Sequence, residues 1–575
     1  MANPNVNISI RDQGLGIIPA GSGGMFAKIG PSPLGIPNSV VSVADNDTLR
    51  KSLGSGGPLV EASAIAFSAG AQGSVRPSGL LLVPVNPSTY GVATAVIHSG
   101  PGTGTITVTI RPSTSFLIRA VLGGAVGVAT FQTSVDGGST WGPVWTSAAT
   151  VQIPGVPFTT LAFGTGAAVS GDTIQISTIT GAGTLTSGTG TLAVTHSSSS
   201  PVDAYSVVIT ITSTGGAGVG MFTYSLDGGN TVSAPQMIPG SGTYPIPDGL
   251  DPNKTGNNQT GVVLTFAGAF TAPDTYTFNT TSASYSTTDM TNAINALTAD
   301  ARLGSSVGVH VVGPAATSAA SATLAAALET LMVAATTSNY KFNRAMIEAP
   351  LDTDAALLAA FANVSAVHVA VASGWESQVS PLNGRIMSRP SAWQAMARAG
   401  SIAPAEALGL VVRGSLPGVV AIQRNEESTP GLDNGRFVTL TTITGRPGFY
   451  ITGPGRLMAP PGSDFTFWPY GRVMDLISIL SRQALLNFLN SNVRVNKDGT
   501  ILEKDAVNIE LFVDNFVRQG ARGQISDLIV SISRTNNVLQ TQAIWPSIRA
   551  IPLGFALFIN ADLGFTNNAL QIRAA

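Results

Sequence analysis

Between residues 91 and 285 apolar and polar positions alternate in short bursts, such as "TITVTI" (Thr105 to Ile110) and "YSVVITIT" (Tyr205 to Thr212), with Gly, Ser and Asn turns between them. A period of two puts one side of each burst in a core and the other in water, so this section is predicted to be all-β. On either side the pattern changes. "VGVHVVG" (Val307 to Gly313), "FNRAMIEAP" and "SAVHVAVAS" are buried-strand runs. Between them lie an Ala-rich helix from Ser318 to Ala335 and a second helix, "TDAALLAAFANV", capped by Thr353 or Asp354. That βαβαβ alternation predicts a largely parallel sheet covered by helices. Further on, Val473, Leu476, Ile477, Leu480 and Ala484 form one helical stripe, and Ala506, Ile509, Phe512, Val513 and Phe516 another. Three strands are predicted after them: "SDLIVSIS", "LQTQAIWPSI" and "GFALFINADL".

The β section is also a duplication. "GTGTITVT" at Gly102 matches "GTGTLAVT" at Gly188, "SVDGGST" at Ser134 matches "SLDGGNT" at Ser225, and "SGDTIQIST" at Ser170 matches "APDTYTFNT" at Ala272. The order is the same each time, so two β-sandwich-like modules are expected. The extreme N-terminus alternates as well, with Val6, Ile8 and Ile10 on one side, followed by the tether "GLGIIPAGSGG". A lone strand leaves its ladder groups unpaired, so this one needs a partner in its own domain or in a neighbouring subunit.

Composition narrows the function. Charged residues make up only 10% of the 575, against about 25% in an average soluble protein. Polar uncharged side chains, or other chains, must therefore cover much of the surface. The net charge of -2 and the lack of a long basic run give no electrostatic footprint for nucleic acid. With no Cys there is no disulfide, thiolate metal site or Cys nucleophile. The start, "MANPNVNISIRDQG", does not read as a secretory signal, and no apolar stretch is expected to span a bilayer, so assembly in a cytoplasm is expected.

"SVDGGSTWG" fits the Asp-box of sialidases through Ser134, Asp136, Gly138, Thr140 and Trp141, and Ser225, Asp227, Gly229 and Thr231 repeat it. All these roles are structural: Ser and Asp bond to turn backbone, Gly supplies positive φ and Trp packs beneath. Sialidase chemistry needs an arginine triad and a Tyr–Glu pair, whereas residues 91–285 hold two Arg and no Glu. Weak glycan binding by Trp141 or Trp145 is the minor alternative. No Gly-Lys dipeptide exists, which removes a Walker A loop. His98, His196, His310 and His368 lie at no metal-ligand spacing, and His310 and His368 read as satisfied core residues. Asp352 and Asp354 read as a solvated helix start. The expectation is no catalysis, no cofactor and no metal.

One segment carries a family resemblance. "GRFVTLTTITGRPGFYITGPGRLMAPPGSDFTFWPYGRVMDLI", from Gly435, and "ISDLIVSISRTNNVLQTQAIWPSIRAIPLGFALFINADLGFTN" resemble the C-terminal domain of tail sheath proteins of contractile bacteriophages, of a Mu-like or related subgroup. The resemblance implies hexameric rings stacked helically around a tail tube, baseplate and tail terminator proteins as further partners, and neither nucleic acid binding nor membrane insertion. It implies a virion tail location, and contraction without fuel to drive the tube through the host envelope. It also implies arms that add strands to neighbouring subunits: Val6, Ile8 and Ile10 at one end, Phe555, Leu557, Ile559, Ala561 and Leu563 at the other. A non-phage contractile injection device is the alternative. The fold expected is an α+β / α/β multidomain core with an inserted tandem pair of all-β sandwich-like modules. Its parts are 1–20 (arm), 21–90 (core), 91–180 and 181–285 (β modules), 286–434 (α/β) and 435–575 (C-terminal domain with arm strand).

Overall fold

The computed structural model describes residues 26–68, 77–248, 259–305, 308–313 and 315–559. Its centre is a six-stranded sheet, in the order Val41–Val43, Leu80–Pro84, Phe26–Gly30, Val309–Val311, Ala345–Glu348, Val369–Ala372. Only Val41–Val43 runs antiparallel to its neighbour. Both faces are buried, as parallel strands require. On one face pack Leu59, Ile65, Trp393 and Met396, from helices Pro58–Ser68 and Ala392–Ser401. On the other pack Met290, Ile294, Leu328 and Phe361, from helices Thr287–Ala299, Ser318–Asn339 and Asp354–Phe361. The helix starts follow their caps. Asp45, Ser286, Thr317 and Thr353 each accept an N–H of the first turn, satisfying a donor that has no partner within the helix.

Helix Ser318–Asn339 departs from expectation. It is long and apolar enough by composition to cross a bilayer, although no such stretch was expected. Leu324, Ala325, Leu328 and Met332 instead bury one side of it against the central sheet.

Residues 91–285 form two pairs of sheets, each of five and three strands. The strands divide differently from the 91–180 and 181–285 of the sequence reading. The first core gathers Phe116, Phe131, Trp145, Phe163, Ile174 and Val194, so it runs on to strand Val194–Ser199. The second gathers Ile209, Phe222, Phe266 and Tyr276, but also Ile106 from far upstream. Strands Ile97–Ser99 and Thr105–Ile110 pair with Thr275–Asn279 and Gln259–Ala267. Equivalent strands Gly183–Ser187 and Val194–Ser199 pair with Thr173–Ile176 and Val156–Phe163. The opening strands of each repeat therefore close the other module's core, and the first module is contained within the second. This closure brings the ends of the section together. Ala93 bridges Thr280 and Thr89 bridges Ser284, forming a two-stranded neck. Asp172 and Asp274 stand at matching places and hold the Gly-rich turns: Thr189 N and Gly190 N donate to Asp172 Oδ1 at 3.1 and 3.2 Å, and Gly102 N to Asp274 Oδ1 at 3.2 Å.

At the C-terminal end, helices Trp468–Leu486 and Glu503–Gly520 pack against the hairpin Ile525–Ile532/Pro546–Pro552. Val473, Ile477, Leu480 and Ala484 are buried as the stripe predicts, with Leu476 half-buried. On the second helix Val517 is buried, whereas Phe512 faces solvent: the real stripe passes through Ala506, Ile509, Val513 and Val517. The predicted strand "LQTQAIWPSI" is a short helix, Val538–Thr541, followed by strand Pro546–Pro552; Asn537 caps the helix. The predicted strand "GFALFINADL" is not formed in its described part, because the chain leaves the hairpin at Pro552.

Candidate assembly surface

The predicted arm residues fall in three places. Val6, Ile8, Ile10, Ala561 and Leu563 lie outside the described residues. Phe555 turns back onto its own molecule, its ring 5.4 Å from Tyr470 and 5.8 Å from Phe467. Beyond it Leu557 is exposed, and Phe558 and Ile559 are 89% and 84% exposed. Apolar side chains held in water this way lose roughly 1.5–3 kcal/mol each relative to burial. Other exposed apolar residues of this end include Leu489 just after the first helix, Phe512 on the second, and Ile529, Trp545 and Ile551 in or beside the hairpin. The hairpin has two strands, so each presents an outer edge.

The two Asp-box turns share one geometry. Ser134 Oγ donates to Asp136 Oδ1 at 2.7 Å, and Ser225 Oγ to Asp227 Oδ1 at 2.8 Å. Gly138 N and Gly229 N, both at positive φ, donate to those Ser oxygens at 2.8 Å. Thr140 N and Thr231 N donate to the Asp Oδ1 at 2.9 and 2.8 Å. Hydrogen bonds from Thr140 and Ser134 hold the Asp136 carboxyl down at about 2. The surroundings differ. Trp141 lies under the Arg119 guanidinium, 4.2 Å from it, so one face of its ring is already covered. Asp227 is buried, and its Oδ2 accepts the backbone N–H of Ile386 at 3.1 Å. The second turn is thus a docking point for the core.

Three further contacts fix the second module there. Arg389 donates to both oxygens of Asp203, at 2.9 and 2.7 Å, with both side chains almost fully buried. Arg385 donates to the carbonyl of Asp248 at 2.6 Å. Met387 enters the module's own core.

A buried polar chain crosses the central sheet, and sequence reading missed it. Lys28 Nζ lies 2.8 Å from His310 Nδ1, and His310 Nε2 lies 3.4 Å from Glu348 Oε1. Glu348 also accepts from Trp393 Nε1 and from Gly313 N. Burial pushes Lys28 down to about 7, Glu348 up to about 8 and His310 well below its ordinary value. Lys28 and His310 are register partners, so the chain fixes how the strand after the insertion docks beside the first. The available signal was a lysine inside the apolar run "FAKIG". His368, the second histidine expected in the core, is held by Glu329 at 2.8 Å. Asp352 and Asp354 do not act together, since Asp352 accepts from Ser318 and Asp354 pairs with Arg424. Among the described residues no group of three His, Cys, Asp or Glu side chains could hold a metal ion. A cleft of about 810 Å³ opens between the neck and the core, lined by Tyr285, Leu351, Trp375, Arg389 and Trp393. Three polar side chains of its lining are already engaged: Arg389 with Asp203, Trp393 with Glu348, and Tyr285 Oη with the carbonyl of Val312.

The family described as DUF2586, N-terminal domain, matches residues 3–453, and the chain belongs to that family. The matched range takes in the β section. No curated protein matches. Among solved structures, the sheath tail protein of Listeria innocua is 12% identical, at a TM-score of 0.40, over 93% of this chain and 96% of that one. The sheath tail protein of Desulfitobacterium hafniense is 11% identical, at 0.40, over 96% and 100%. The helical sheath of the anti-feeding prophage in its contracted state is 14% identical, at 0.35, over 50% and 78%.

Proposed function

We propose that this chain is the structural subunit of a contractile phage tail sheath, polymerising as stacked hexameric rings around a tail tube. The observation that carries the reading is the run Leu557, Phe558, Ile559, apolar and exposed beyond a hairpin to which no other described strand is added. Such a segment gains ladder partners and burial together when it adds to a sheet of the next subunit. The N-terminal Val6, Ile8 and Ile10 would do the same from the other end. The resemblance of residues from Gly435 onward supports the reading independently, and the low charge content suits a protomer largely covered by its neighbours. Contraction would then be a rearrangement of nearly rigid subunits joined by their arms, with tube, baseplate and terminator proteins as partners.

Electron microscopy of the purified chain tests this. Striated tubes are expected from the full chain, and soluble, folded protomers without tubes from a variant lacking residues 1–20. Discrete particles from the full chain, or normal tubes from the truncated one, would refute it.

A further inference from the structure

The two modules of the β section end in strand edges to which no other described strand is added. Gly183–Ser187 is the last strand of the first five-stranded sheet, and Ile97–Ser99 the last of the second. Edges of this kind are templates for pairing with another chain, and proteins normally blunt or cover them. This chain does so elsewhere. Strand Thr243–Pro247 carries Pro245 and Pro247, which cannot donate to a ladder. Strand Val369–Ala372 is covered, since Met458 N donates to the carbonyl of Val369 and Val438 N to that of Val371, both at 2.9 Å.

Gly183–Ser187 has none of these protections. No Asp, Glu, Lys or Arg occurs between Asp172 and Asp203. Thr184, Leu185, Thr186 and Ser187 are all exposed, and so are Ile97, His98 and Ser99. Leu185 is 41% and Ile97 68% exposed. The two strands are counterparts in the repeat. Leu185 stands opposite Ile174 in its sheet, as His98 stands opposite Tyr276.

We propose that Gly183–Ser187 of one copy pairs antiparallel with Ile97–Ser99 of a second copy, joining the β sections of neighbouring subunits through a continuous sheet. Centred on Leu185 and His98, the pairing sets Thr184 opposite Ser99 and Thr186 opposite Ile97. Neither edge carries a like charge to repel the other. The second copy is the partner because these counterpart edges are both unpaired among the described residues of every molecule. Joining different edges of successive copies makes a contact that repeats around a ring or along a helix, whereas pairing Gly183–Ser187 with itself closes at two copies. The inference rests on the sheath reading for its lattice.

The chain has no Cys, so introduced thiols report without background. Directly opposed residues on an antiparallel pair approach closely enough for a disulfide. T184C/S99C and T186C/I97C, in the full chain under mild oxidation, are expected to give intermolecular ladders on non-reducing gels in assembled tubes, with each single variant giving none. Dimers from T184C or T186C alone would overturn the proposal in favour of self-pairing. Tubes that form normally without ladders from either double variant would overturn it while leaving the sheath reading intact. Absence of tubes from the unsubstituted chain would instead overturn the sheath reading, and this contact with it. A charged edge, T184K/T186K, gives a second measurement: circular dichroism should be unchanged and tube yield should fall at least several-fold, and an unchanged yield would count against the contact.

Discussion

Glu376 offers a direct test of how burial governs this molecule. It lies in strand Trp375–Val379, 1% exposed, and neither carboxylate oxygen has a hydrogen-bond partner among the described residues. Its cross-strand neighbour Arg389 could have neutralised it, but that guanidinium is committed to both oxygens of Asp203. Burial alone therefore pushes the Glu376 carboxyl well above its usual range, and the folded chain carries it protonated. The sign follows. The folded state holds a proton that the unfolded state releases above the ordinary glutamate range. Stability is thus fully present in acid and declines as pH rises towards the folded value. Over each pH unit in which only the folded chain keeps the proton, the loss is about 1.4 kcal/mol. Met has nearly the same shape, no proton and no unmet hydrogen bond, so E376M should remove this slope. Urea unfolding of the core, followed by tryptophan fluorescence at pH 5, 6 and 7, measures it. The variant should be the more stable at every pH, with the gap widening as pH rises, by at most about 1.4 kcal/mol per unit. A gap independent of pH, or a variant less stable than the parent throughout, would refute the assignment of a neutral, unpartnered carboxyl.

Two further substitutions probe the β section. D203A leaves the Arg389 guanidinium buried and unpaired, at a cost of about 3–5 kcal/mol. Replacing both partners, as D203A/R389M, should recover most of that loss in the same unfolding assay. F131A removes a fully buried ring 5.3 Å from Trp145 and 5.6 Å from Phe163, and should lower the stability of the first module by about 3–5 kcal/mol. Because Phe222 belongs to a separate core, hydrogen exchange around it should be unaffected.

The parts that could be read from the chain are those written in local chemistry. The Ala-rich helix, the stripe of Val473, Ile477, Leu480 and Ala484, and the cap at Thr353 all need only neighbours three or four residues away. What could not be read depends on partners hundreds of residues apart. Phe26–Gly30 is central to the main sheet, but Lys28 interrupts its apolar run, and that lysine makes sense only once His310 is beside it. The Asp-box turns were legible because Ser, Asp, Gly and Thr close each loop locally. That Asp227 would also receive Ile386 N was not, because the first turn carries the same residues without that contact. The closure of the modules was hidden by the duplication itself. "GTGTITVT" and "GTGTLAVT" are near copies, so sequence alone does not say which repeat each of them completes.

The pairing that was hardest to read yields a prediction about the whole section. Had each repeat closed on its own strands, the chain would enter at one module and leave at the other, and removing residues 90–283 would leave two distant ends. With strands Ile97–Ser99 and Thr105–Ile110 given to the second module, entry and exit run side by side, and Thr89 faces Ser284 across an antiparallel bridge. Residues so placed have Cα atoms about 4.5–5.5 Å apart, a span that a two- or three-residue turn closes. The central sheet takes no strand from the section, so its pairings survive the cut. Arg389 does not, because it loses Asp203 and would be left without its partner carboxylate. A chain in which Gly-Asn-Gly replaces residues 90–283 should therefore fold only modestly, and adding R389M should restore a cooperative thermal transition. We further expect the shortened chain still to assemble, at the several-fold lower yield expected of T184K/T186K, which places the β section at contacts that reinforce the tube and do not build it. A soluble core that does not polymerise would overturn that placement, and an insoluble one, with or without R389M, would overturn the single-neck account of the section.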